Sequence, residues 1–392
     1  MPSYHRLGAV PPKRHVQFRS PAGKLYAEEV FGTQGFSGTY SILYHRSLPP
    51  QMRTTEFLRP TSPQGWTPSA HRNRHLRTRR LAADGDPVTG RRALLFNDDL
   101  VISLAAPDEP QGALYKNGTR DELLFVHEGE GALITQFGEL PFHAGDYVYI
   151  PRGTVQQLCL EGGRGRLLVI EAAGTIATPH RYRNADGQLL EHAPYWERDF
   201  RKPERLVDQH AGVETPRELH VKIGDEVHRQ LIDHDPFDVV GWDGYCYPFA
   251  FSIHDFEPIA GRLHVPPTAH QTFEGPGFVV CSFVPRLLDW DPNAVPVPYY
   301  HENLDSDEVI YYVAGTYGAR KVEPGSITLH PRGLAHGPSA GAVEASLEAP
   351  RRTDELAVMV DTFRPPRMTA ACEALDDPAY IHSWDESHGS PQ

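Results

Sequence analysis

Cysteine is scarce: Cys159, Cys246, Cys281 and Cys372 are the four in 392 residues, and none stands in a C-x-x-C or other zinc spacing. A chain this long needs no disulfide staples, and MPSYHRLGAV at its start holds no apolar signal segment, so a reducing, cytoplasmic setting is the expectation. No apolar run approaches the roughly 18 residues of a membrane span, so no membrane is expected as a partner. Basic charge is also short, with 38 Lys and Arg against 51 Asp and Glu and a formal net charge of −13. That speaks against a nucleic-acid partner, which demands concentrated basic surface. One run dissents: His71 to Arg80 (HRNRHLRTRR) has five arginines in ten residues. It suits a local anion or subunit contact, but charge runs usually face water, and a solvated loop or strand edge is expected.

What the chain does have is turn chemistry. Its 36 prolines and 34 glycines are interleaved with short apolar runs such as YVYI, RLLVIEAA, FVVCSFV and LAVMVDTF. This composition predicts an all-β protein with a few helical connections. The best helix candidate is Thr215 to Ile232, with Pro216 near its start. The polar tail after about Trp384 is expected to fray. With 40% hydrophobic and 23% charged residues the chain can bury two full cores.

A repeat organises the sequence. Glu122 is followed seven residues later by Gly129, then by Gly145-x5-Pro151-x-Gly153-x2-Gln156. Glu308 is followed seven residues later by Gly315, then by Gly325-x5-Pro331-x-Gly333-x2-His336. Each copy reads as strand, glycine turn, strand, then a turn into a strand (DYVYI; SITLH) that ends at Pro-Arg-Gly. These are hairpins of a small barrel. The scaffold coincides while the final ligand position changes from Gln to His.

The second copy resembles the cupin superfamily, whose motifs are G-x5-H-x-H-x3,4-E-x6-G and G-x5-P-x-G-x2-H-x3-N. The resemblance implies two jelly-roll barrels, divided here into residues 1–258, an N-terminal β domain, and 259–392, a C-terminal catalytic domain. His301 and Glu308 stand where the first His and the Glu of the motif fall, His336 completes it, and Asn303 replaces the second His. Two imidazoles and one carboxylate make a facial triad, the ligand set suited to mononuclear non-haem Fe(II) enzymes that bind substrate and O2 together; zinc or manganese would also accept these ligand types. The first copy offers Lys116 or Asn117, Glu122 and Gln156, and is expected to hold no metal.

GWDGYCYPFAF (Gly241 to Phe251), VPYYHEN (Val297 to Asn303), LHPRGLAHGP (Leu329 to Pro338) and LYAEEVFGTQGF (Leu25 to Phe36) resemble the homogentisate 1,2-dioxygenase family over nearly the whole chain. That resemblance implies oxidative ring opening of 2,5-dihydroxyphenylacetate to maleylacetoacetate, and a homo-oligomer, trimer or hexamer. It implies Fe2+ ligands at His301, Glu308 and His336, a catalytic base at His270 with a pKa near neutrality, and substrate contacts from Tyr317, Arg320 and His330, with Tyr300, Asn303 and His336 beside them. His330 could instead support a ligand, and His264 is the weaker alternative base. The family usually has its Glu six residues after the first His, which here is Asp307; Glu308 is preferred because it alone keeps the x6-Gly spacing to Gly315. Arg320 stands where the family has lysine. These departures leave a related hydroquinone acid such as gentisate as the alternative substrate.

Other signals are weaker. Gly337-Pro-Ser339-Ala-Gly341 matches G-x-S-x-G but lacks the strand-to-helix setting of a hydrolase nucleophile elbow. Asn117-Gly-Thr119 reads as a turn rather than a glycosylation site. A non-enzymatic metal-binding double barrel suits the ligand-free first copy but not the second copy's intact triad. A sugar-phosphate isomerase would be expected to keep the fuller ligand set that Asn303 interrupts.

Overall fold

A computed structural model describes residues 3–68, 70–207, 215–265, 267–315, 317 and 322–385. Among these residues the strands form nine-, seven-, six- and four-stranded sheets and a two-stranded pair. No described helix is long and apolar enough to cross a membrane. The all-β expectation is met.

The two repeat copies fold with the same register. In the first, strand Asp121–Glu128 pairs with Asp146–Ile150 so that Glu122 faces Ile150, and with Arg166–Ala172 so that Glu122 faces Glu171. In the second, Asp307–Ala314 pairs with Ile327–His330 and Leu356–Thr362, and Glu308 faces His330 and Asp361. The repeat's glycines explain why both copies bend at the same places. Gly129, Gly145 and Gly153, and their counterparts Gly315, Gly325 and Gly333, all have φ between +75° and +103°, a region other residues enter at a cost.

The barrels share more than a pattern. Strand Arg74–Leu76 pairs with Ile327–His330, and strand Arg367–Thr369 returns to pair with Arg92–Phe96. Each half of the chain thus supplies a strand to the other's sheet. One apolar cluster runs without a break from Leu123, Tyr147 and Phe251 to Phe273, Val309 and Val358.

Two expectations are corrected. Residues 215–232 are a β-hairpin, Arg217–Ile223 against Glu226–Ile232, instead of a helix. Leu219 and Val221 alternate inward at period two, and Gly224, at φ +57°, makes the turn. The His71 to Arg80 run is largely buried instead of solvated, although its strand does form a sheet edge. Arg72 reaches Asp376 at 2.6 Å, Arg74 bonds the same carboxylate, and Arg77 reaches Asp377 at 2.7 Å. Three of its five arginines are paired with the chain's own C-terminal segment, and Arg79 pairs with Glu128 of the first barrel. The tail beyond 385 lies outside the described residues.

Candidate metal centre

Strand alternation decides which acid faces inward. Asp307 and Glu308 are adjacent, so their side chains leave opposite faces of the strand. Asp307 accepts from Arg332 Nε at 2.6 Å, just as Asp121 accepts from Arg152 Nε at 2.8 Å in the first copy. Glu308 points into the barrel. His301 and His336 come together through a reciprocal backbone bridge, each amide donating to the other's carbonyl at 2.9 Å.

His301, Glu308 and His336 place one ligand atom each within 4.8 Å of one another. His301 Nε2 lies 3.8 Å from Glu308 Oε2, and His336 Nε2 lies 3.6 Å from Glu308 Oε1. An ion with bonds of about 2.0–2.2 Å sets its donor atoms about 3–4 Å apart, which these separations suit. Both imidazoles are oriented from behind: His301 Nδ1 donates to the Tyr299 carbonyl at 3.3 Å and His336 Nδ1 to the Leu334 carbonyl at 3.1 Å. Each Nε2 is thereby left as the basic nitrogen. His336 Nε2 is buried without a hydrogen-bond partner. An orphaned buried nitrogen costs stability unless something binds it, and a divalent ion fits this donor set.

Burial alone would raise the Glu308 carboxyl, but the surrounding imidazoles of His301, His330 and His336 outweigh it and hold the group well below its ordinary range. Glu308 is an anion. Its neighbour Asp361 is pushed upward by burial and by that anion, and its Oδ1 has no hydrogen-bond partner.

His301 and Glu308 border a cavity of about 140 Å³ walled by Val265, Phe283, Ile310, Ala357 and Met359, with His264, His270, Arg286, Tyr312, Tyr317 and Glu355 also on its lining. His270 is 6% exposed, and burial, then Arg286 and His264, push its pKa down to about 3. The near-neutral titration expected of it is not found; it is a neutral imidazole with Nδ1 buried and unpartnered. His264 is half-buried, edge-on to Tyr299, and also pushed down by burial.

Other expected substrate contacts are placed differently. The Tyr317 ring walls the cavity, but its hydroxyl accepts from the Val313 and Ala314 amides at 3.0 and 3.2 Å and donates to the Leu356 carbonyl. It is committed to the backbone and cannot orient a substrate hydroxyl. His330 is fully buried behind the triad, with Nδ1 2.7 Å from Glu308 Oε1 and Nε2 3.0 Å from the Tyr380 hydroxyl. It supports the carboxylate and does not line the cavity. Tyr300 is exposed and packs on Gly337, where a Cβ would come within 2.9 Å of its ring. The Asn303 carbonyl accepts from the Gly333 amide at 3.1 Å, and neither Tyr300 nor Asn303 reaches the cavity. Arg320 lies outside the described residues. Arg286, Phe283 and Asp361 were missed. Asp361 was legible, since LVIEA and MVDT occupy the same place in the two copies.

In the first copy the counterpart of His301 is Tyr115, which pairs with Gln156 as His301 pairs with His336, rather than Lys116 or Asn117. Glu122 is bound by Arg91 at 2.8 and 3.2 Å, by Asn117 at 3.1 Å and by Gln156 at 2.9 Å. Lys222 holds Glu171 at 2.8 Å. Two cations compensate two buried carboxylates.

An all-β protein with two repeated barrels, one of them carrying a buried His-Glu-His cluster beside a cavity, is a two-domain cupin. Residues 101–253 match the homogentisate 1,2-dioxygenase N-terminal family and residues 259–389 its C-terminal family. A provisionally named dioxygenase of Saccharolobus solfataricus is 43% identical over 97% of this chain and 98% of its own length. Homogentisate 1,2-dioxygenases of Rhodopseudomonas palustris and Bradyrhizobium diazoefficiens are each 31% identical over 67% of this chain, and the match spans 61% of those longer proteins. The chain belongs to the homogentisate 1,2-dioxygenase family of the cupin superfamily.

Proposed function

We propose that the protein is a Fe(II) dioxygenase that opens the ring of homogentisate to maleylacetoacetate with O2. His301, Glu308 and His336 hold the metal, residues 259–392 form the catalytic domain and residues 1–258 a metal-free β domain. The observation that carries this is the convergence of two oriented imidazole Nε2 atoms and one buried carboxylate at an apolar cavity that His301 and Glu308 line. Fe(II) held by three protein ligands would provide open positions for substrate and O2 together and a path for ring electrons to oxygen.

The chain's own groups do the rest. Phe283, Ile310 and Met359 enclose the ring and exclude water. His270, neutral and with Nδ1 unpartnered, takes a ring hydroxyl by hydrogen bond and so orients it. His330 donates to Glu308 and keeps that carboxylate's geometry fixed.

A related hydroquinone acid such as gentisate is the second reading. It is favoured by the difference in likeness: the relative that matches over nearly its full length is named only as a dioxygenase, whereas those named for homogentisate match over a shorter part. The test is O2 uptake by anaerobically Fe(II)-loaded protein given homogentisate, gentisate or 3-hydroxyanthranilate, with a UV scan for ring-opened product and a His336→Ala control. Uptake with homogentisate alone, lost in the control, is the expected result. Uptake with another acid keeps the site and changes the substrate; iron binding without any uptake removes the dioxygenase reading.

A further inference from the structure

Any aromatic acid entering the cavity must set its carboxylate against a partner, because a lone anion among apolar side chains is strongly disfavoured. Among the described residues the lining offers one guanidinium, Arg286, and no ammonium group. His264 and His270 are pushed downward by burial and carry no charge at neutral pH.

Arg286 is fixed on three sides. Its Nη1 donates to the Val284 carbonyl at 3.1 Å, its guanidinium lies 5.8 Å over the Phe283 ring, and its Nη2 is 2.7 Å from Glu355 Oε1. Backbone and ring aim it at the cavity whether or not Glu355 is there. Glu355 is attached differently: it sits just before strand Leu356–Thr362 and keeps about a quarter of its side chain in solvent. Arg286, Pro298 and Glu355 also border a second cavity of about 330 Å³, which Arg352 lines. A displaced Glu355 therefore has room and a second cation nearby.

We propose that Arg286 recognises the substrate's carboxylate, and that Glu355 occupies that place until the substrate displaces it. This rests on the cavity being the substrate pocket. An incoming carboxylate replaces another of the same shape on the same donors, so the guanidinium need not reorganise, and a planar fork suits either. The pair thereby selects ring acids over the same hydroquinone without its acid.

The experiment is anaerobic calorimetric titration of homogentisate and its methyl ester into Fe(II)-loaded wild type and the variants R286Q, R286K, E355Q and R320Q. Thermal melting of each variant establishes folding. Binding is read without turnover. R286Q is expected to weaken the acid at least tenfold and leave the ester unchanged, with R286K in between. E355Q is expected to tighten the acid several-fold, because it removes the competing anion. A purely structural ion pair would make R286Q and E355Q fall together for acid and ester alike, and that result overturns the proposal. So does loss of acid preference in R320Q with R286Q unaffected. If wild type binds the acid and R286Q binds it equally, this proposal alone fails. If wild type binds neither compound, the substrate reading fails and takes the proposal with it.

Discussion

His330 shows how far a motif can be read and where it stops. Its place on the strand leading to His336 is legible from the x5-Pro-x-Gly spacing, but its partners are not, because they depend on which neighbour fills the barrel interior. Glu308 takes Nδ1 and Tyr380 takes Nε2. A ring that anchors a ligand from behind tunes affinity without touching substrate. His330→Ala is therefore expected to weaken Fe(II) binding about 10–100-fold, measured by competition with a chelator. Tyr317 teaches the same lesson, since its hydroxyl is engaged by three backbone groups that no local pattern reveals. By contrast the choice of Glu308 over Asp307 was available from the spacing to Gly315, and the Asp307 to Arg332 pair explains why that spacing holds.

A second residue-scale prediction concerns pH. Burial alone would lower the His45 pKa, but the hydrogen bonds it donates to Asp238 and Glu29 outweigh it and raise it to about 9. The folded value exceeds the unfolded one of about 6.5, so the pair's stabilisation is complete below about pH 6.5 and is lost as pH rises through about 9. Full loss is worth about 3 kcal/mol. Urea unfolding of wild type should show this decline between pH 6.5 and 9.5. His45→Gln should be less stable at pH 6 and show much less of the decline.

At the scale of elements the repeat was the strongest signal, because positive-φ glycines recur wherever both copies turn. It located both barrels and the triad. The hairpin at 217–232 was misread because Pro216 and a polar, charge-rich stretch resemble a helix start, while pairing with the parallel strand Leu114–Asn117 is a non-local fact. The arginine-rich run was misread for a related reason: Asp376 and Asp377 lie some 300 residues away in sequence. In the first barrel Arg91 bonds the carboxylate that corresponds to Glu308. Burial and then Arg91 act oppositely on Glu122, and the net result is a pKa lowered to about 2. Arg91→Met would leave a buried carboxylate uncompensated, an effect of about 3–5 kcal/mol. The expected outcome is a clear drop in melting temperature with iron content unchanged.

The molecule as a whole is two barrels that cannot be cut cleanly apart. The six-stranded sheet that carries Glu308 and His330 takes its edge strand from Arg74–Leu76, and the core is continuous across the halves. A fragment of residues 259–392 would expose that sheet edge and half of a shared core. It is expected to lack a cooperative thermal transition by circular dichroism, although it contains His301, Glu308 and His336. None of this exchange was visible in the sequence, where the repeat suggests two self-contained units.

The most direct measurement is iron stoichiometry after anaerobic loading and desalting, made on wild type, His336→Ala and Arg91→Met. One ferrous ion per chain in wild type and Arg91→Met, and none in His336→Ala, is the predicted result. Iron retained without His336, or two ions per chain, would contradict a single centre built from His301, Glu308 and His336.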